Sequence, residues 1–272
     1  MNKNPRQENY RLIHILLYIL LAFLLPALLK QIGWFFHNIN LWNLYFIMEQ
    51  IVPLAPSLAA LLLVTCIGGW RGMLEFLRKL FIRNIKVRYI VLAILIPIVM
   101  LGVAKFISIN LVGNKTNIDV SILGQRSPSL IVLAMLACEV GWRGFLQDEI
   151  SKKYGYIVTP FLVGLIWAIW YDVFSFKLDI FIPTGIISTI RCIAESYGYY
   201  WITIKSKGNI IPATLWHFFV YLFSAQYLID FDNYFGNKLP YQIYVLFTVI
   251  MAIIIVVYEF NTLENKVIRN SE

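Results

Sequence analysis

The chain has 272 residues, 60% of them hydrophobic and 14% charged, whereas a soluble globular domain holds about 45–50% apolar and about 25% charged residues. The mean hydropathy is +0.71, and the apolar residues lie in long blocks, which excludes a single large soluble core. The net charge is +8, and three cysteines without CxxC spacing suggest neither a disulfide framework nor a zinc knuckle.

The predicted elements are all helical. Eight apolar blocks run over 12–31, 44–68, 89–112, 128–147, 156–176, 181–203, 209–229 and 241–259. Runs of about 18–25 such residues span the roughly 30 Å hydrocarbon layer. The first block follows a basic lead (Lys3, Arg6, Arg11) and lacks a small-residue cleavage site, so it reads as a retained anchor. Pro26, Pro53, Pro56, Pro97, Pro183 and Pro212 interrupt the blocks, as membrane helices tolerate. After the second block comes WRGMLEFLRKLFIRNIKVR, residues 70–88, whose cations alternate with apolar residues at helical spacing. An interfacial helix on an anionic leaflet explains that pattern better than a nucleic-acid patch, and no nucleic-acid partner is expected. The fold class is therefore an all-α polytopic membrane bundle of about eight helices. Its expected divisions are an N-terminal anchor and loop (1–43), a membrane core (44–229) and a C-terminal helix and tail (230–272).

Charge gives an expected orientation. With the N-terminus inside, fifteen Lys and Arg residues fall on the inner side and four, Lys115, Arg126, Lys177 and Lys238, on the outer. That asymmetry puts both termini in the cytoplasm of what we read as a bacterial cell membrane. Lys30, Lys105, Arg143 and Arg191 lie within spans or at their edges.

A charge near the bilayer centre costs about 2.5–3.5 kcal/mol, so it normally faces the bundle interior and has a partner. Glu139 and Arg143 in LACEVGWRGFLQ, and Arg191 and Glu195 in the sixth block, are each spaced i, i+4 and so share a helix face. The second pair reads as a structural ion pair. Asp172 follows Tyr171 near the end of the fifth block, where it is expected to reach interfacial water. His217 lies deep in the seventh block, whereas His14 and His37 lie near block ends.

In order and spacing these residues resemble the CPBP family, also called Abi, of CAAX prenyl endopeptidases and bacteriocin-processing or bacteriocin-immunity proteins. The likeness runs over about residues 50–222. CEVGWRGFLQDEI resembles the EExxxR motif, GLIWAIWYDVF a tryptophan-rich run ending in histidine, and GNIIPATLWHFFVYLF the HxxxN motif. PLAPSLAALLLVTCIGGWRGMLEFLRKL resembles the second helix and the basic segment after it. The resemblance implies an intramembrane endopeptidase whose first glutamate and second-motif histidine activate water. The third-motif histidine and asparagine would then steady the oxyanion.

This sequence departs from the pattern where the chemistry is done. Cys138 stands at the first glutamate, Tyr171 at the second-motif histidine and Tyr221 at the third-motif asparagine; Glu139, Arg143 and His217 are retained. A tyrosine, which titrates near 10, is no base at neutral pH. The resemblance therefore implies a retained structural half of a protease motif beside replaced water-activating groups. The six residues are expected to converge on one cavity.

Two other chemistries stay open at this stage. Cys138 can serve as a nucleophile with His217 as base, although a thiol in apolar surroundings is normally inert. Cys138, Glu139 and His217 are ligand types suited to zinc, and the family is often described as metalloproteases, but no HExxH spacing is present. Three functions remain: a pseudoenzyme gripping a membrane protein or peptide, as in bacteriocin immunity or regulation; an active endopeptidase with a rearranged site; and a small transporter drawing on Arg191, Glu195 and Lys105. Membrane lipid is an expected partner in each case.

Overall fold

A computed structural model describes residues 5–82, 84–112, 128–174, 183–224 and 239–269. Every regular element among them is helical: α1 Pro5–Asn38, α2 Trp42–Ile51, α3 Ala55–Phe81, α4 Val87–Val112, α5 Pro128–Glu139, α6 Gln147–Ser151, α7 Val158–Phe174, α8 Pro183–Lys205, α9 Ile211–Ser224 and α10 Leu239–Arg269. Helices satisfy their own backbone hydrogen bonds, the requirement that hydrocarbon imposes on a spanning segment. The described parts of the eight predicted blocks are mainly helical, although the second is divided between α2 and α3 and the fourth runs from α5 into α6. The basic residues assigned to the outer side, Lys115, Arg126, Lys177 and Lys238, lie outside the described residues.

Four described segments are long and apolar enough to cross a membrane: Arg11–Asn38, Trp42–Phe81, Val87–Leu111 and Leu239–Thr262. Shorter apolar helices, Val158–Phe174 and Ile211–Phe223, complete the set. Pro26 and Pro97 sit inside α1 and α4. The second block, read from hydropathy as one continuous run, is broken. A 3-10 turn, Val52–Leu54, separates α2 from α3, where Pro53 and Pro56 lack the N–H that a continuous helix needs. The basic run after it is helical only to Phe81, and Gly69, at φ 60° and ψ −166°, sets it off from the span. That backbone conformation is open to glycine and strained for other residues.

Small residues allow the closest helix contacts. A Cβ on Gly141 would stand 2.4 Å from the carbonyl of Pro56, and one on Gly164 would stand 2.6 Å from Cα of Ile193. The first contact seats the segment after α5 on α3, and the second seats α7 on α8, in the manner of small-residue membrane interfaces. Trp170 Nε1 donates to Ala22 O at 2.9 Å and ties α7 to α1.

The basic turns meet at one end of the bundle. Lys79 pairs with Asp148 at 2.6 Å, Lys205 with Glu259 at 2.6 Å, and Ile210 N donates to Leu80 O at 3.1 Å.

Gly141→Ala should therefore be far worse tolerated than Gly102→Ala, whose Cβ meets nothing within 4 Å. Overpacking against backbone costs about 1–3 kcal/mol or more. Fluorescence-detected gel filtration after heating in detergent reads the difference. Equal thermal midpoints for the two variants would contradict the close approach of α3.

Candidate functional site

The site grows from an irregularity in one helix. After Glu139, α5 passes into a π-helical segment, Val140–Leu146, and then into α6. A π turn widens the helix and re-aims its side chains, and such turns are frequent at functional sites. All residues from 138 to 147 are buried. Gly141 and Gly144 permit this, the first beneath Pro56 and the second beneath Leu80, whose Cδ1 lies 2.7 Å from a Cβ placed there. Gly141 N also donates to Ser57 Oγ at 3.2 Å.

At the start of this segment Glu139 is fully buried, and both of its oxygens are engaged. Oε2 accepts from Arg143 Nε at 3.0 Å, and Oε1 lies 2.7 Å from His217 Nδ1 on α9. An ionised carboxylate only accepts, so Nδ1 carries the proton. Arg143 in turn donates through Nη1 to Ser196 Oγ on α8 at 3.2 Å. Its guanidinium lies over the rings of Tyr199 at 4.6 Å and Trp167 at 5.4 Å. A buried ion pair is tolerated only when further hydrogen bonds and polarisable neighbours offset its desolvation. Here Ser196, Tyr199, Trp167 and His217 supply them.

Of the six residues expected from the sequence, Glu139, Arg143 and His217 are joined by direct hydrogen bonds. Cys138 is buried, and its Sγ donates to Pro53 O at 3.2 Å, toward the turn between α2 and α3. Tyr171 is 37% exposed and faces the Arg191 guanidinium, 6.0 Å from its ring. Tyr221, one turn after His217, packs with the Met135–Phe218 cluster.

A second polar cluster adjoins the first. Arg191 Nη1 binds Glu195 Oε2 at 3.0 Å, and Tyr244 on α10 donates to Glu195 Oε1 at 2.8 Å. Trp167 takes the Arg191 guanidinium 5.7 Å from its ring as well as that of Arg143, so one indole touches both ion pairs. Asp172 is buried rather than reaching interfacial water, because α7 packs its last turns against its neighbours. The sequence reading missed Ser196, Tyr199 and Tyr244. The only signal for the first two was their place on the same α8 run as Glu195.

A metal does not fit this arrangement. Among the described residues no three His, Cys, Asp or Glu side chains gather as ligands. Glu139 is held by Arg143 and His217, and Cys138 is bound to a backbone carbonyl. No chemical step is therefore assigned to a metal.

Removing one member of the ion pair should be severe. Arg143→Gln strands a buried carboxylate and should cost about 3–5 kcal/mol, whereas an apolar double replacement, Glu139→Leu with Arg143→Met, should recover much of the loss. Thermal unfolding in detergent measures both. A double variant no more stable than Arg143→Gln would show that the pair itself is not what the core accommodates.

Residues 126–223 match the family described as Type II CAAX prenyl endopeptidase Rce1-like. CAAX prenyl protease 2 of Methanococcus maripaludis is 28% identical over 112 residues, which covers 34% of this chain and 37% of that protein. The likeness thus spans little more than a third of that relative's length. The matched stretch contains Glu139, Arg143, Tyr171, His217 and Tyr221, and it coincides with the helices that build the buried pair. Over residues 126–223 the chain is thus similar to the Rce1-like family of CAAX prenyl endopeptidases.

Proposed function

We propose that this integral membrane protein grips a membrane-embedded protein or peptide without hydrolysing it, in immunity to a bacteriocin or in regulation of a partner. One observation carries the reading: both Glu139 oxygens are committed, one to Arg143 and one to His217. Cys138 stands at the motif's first glutamate, and its thiol is bound to Pro53 O. Losing a positioned general base alone lowers a rate by about 10²–10⁴-fold, and here both water-activating positions are replaced. The surroundings of His217, with Trp167 and Tyr199 ring centroids at 5.8 and 5.9 Å, suit gripping a peptide backbone. In this reading the basic end of the bundle faces the cytoplasm of a bacterial cell, and both termini lie there.

A second reading has a specific support. The 2.7 Å contact between Glu139 and His217 is a carboxylate orienting an imidazole, the arrangement that prepares a base in hydrolases built on other folds. An active endopeptidase with a rearranged site would use His217 in that way. A transporter is less well supported, since Arg191 and Glu195 pair with each other and Glu195 also accepts from Tyr244.

The test is a restoration series in liposomes with a prenylated CAAX-type peptide. Cys138→Glu, Tyr171→His and Tyr221→Asn are made singly and together. The starting protein should release no product, and cleavage should emerge only in the combined variant. Turnover by the starting protein that His217→Ala abolishes would replace the pseudoenzyme with the active reading.

A further inference from the structure

The segment that follows Gly69 has two unlike faces, and each leads somewhere. Its outer face exposes the cations Arg71 and Arg78, with Lys86 and Arg88 just beyond the end of α3. Among them stand exposed apolar side chains, Trp70 at 68%, Leu74 at 48%, Ile82 at 66% and Val87 at 71%. Hydrocarbon rejects four cations, and water disfavours so much apolar surface. The boundary between lipid tails and headgroups accepts both. The one acidic residue on this face, Glu75, is engaged by Arg71 at 3.3 Å, so the face remains cationic.

The inner face is fastened to the candidate site by two routes. Leu80 packs on Gly144, and Lys79 binds Asp148 at 2.6 Å, which holds the π segment that carries Arg143. Leu80 O accepts from Ile210 N at 3.1 Å, and Phe81 O accepts from Asn209 Nδ2 at 3.1 Å. Asn209 Oδ1 then accepts from Ile211 N at 2.9 Å and caps α9, the helix of His217. One short arm therefore touches both elements whose side chains meet at Glu139 and His217.

We infer that residues 70–81, with Lys86 and Arg88, bind the anionic headgroups of bilayer phospholipids, and that this contact positions Glu139 against His217. Charge complementarity selects the occupant, since a basic residue near an anionic leaflet gains roughly fivefold in affinity. Lipid contact would set the geometry of the pair whether or not the pair hydrolyses a peptide.

The full chain is reconstituted in nanodiscs of phosphatidylcholine with or without phosphatidylglycerol. Native mass spectrometry counts the lipids retained, and ¹⁵N-histidine NMR reads the site. The chain has three histidines, so His217→Gln assigns the resonance. Phosphatidylglycerol should be retained over phosphatidylcholine and should move the His217 signal. Arg71→Gln, Arg78→Gln and Lys86→Gln together should weaken its retention by roughly a hundredfold and leave the signal at its phosphatidylcholine position. The charge-conserving exchange of the same three residues should behave as the parent. Raising salt on the parent should release the lipid, because exposed charges are screened. Equal retention of the two lipids, or retention that survives salt or the three glutamines, would overturn the headgroup site. Retention with an unmoved His217 signal would overturn the coupling.

Discussion

The bundle is organised around a single carboxylate. Glu139 has no access to solvent, and a charge at membrane depth must find its partners inside the protein. It finds them on both sides, Arg143 within its own helical run and His217 on α9. Because Arg143 continues to Ser196 on α8 and lies over Trp167 on α7, one charge fixes four segments relative to one another. The apolar packing around it supplies contact area but little direction, since hydrocarbon side chains are as content against lipid as against each other.

Two kinds of local irregularity make room for this arrangement. Glycines at 141, 144 and 164 remove side chains where backbones approach most closely. The π segment then changes the helix register just after Glu139, so that Arg143 is carried toward α8 while its Nε still reaches the carboxylate. The second ion pair, Arg191 with Glu195, repeats the logic with Tyr244 as the added donor. Trp167, whose ring lies 5.4 Å from one guanidinium and 5.7 Å from the other, gives the pairs a shared polarisable wall.

Much of this was legible in the sequence, for reasons that can be named. The membrane helices follow from hydropathy, and the Glu139–Arg143 and Arg191–Glu195 contacts follow from i, i+4 spacing, which is local. The order of motifs selected His217 from among three histidines, although spacing alone could not join residues 78 positions apart. What escaped notice is what lacks a compositional mark. A π register uses the same residues as an α helix. The break at Val52–Leu54 lies inside continuous hydropathy, and only its prolines hinted at it. Ser196 and Tyr199 are neutral and distant in sequence from Arg143, so nothing singled them out before the helices were packed. Cys138 turns to the Pro53 carbonyl, a partner that exists only because that turn passes beside α5.

The central claim is that Glu139 holds the π segment to α9 through His217. A double-mutant cycle with Glu139→Gln and His217→Gln, scored by unfolding free energy in detergent, measures that link with the Arg143 contribution cancelled. The account requires a coupling of about 1 kcal/mol or more, within the range of about 0.5–3 kcal/mol found for residues in contact. Additivity to within about 0.3–0.5 kcal/mol, the behaviour of independent sites, would contradict it.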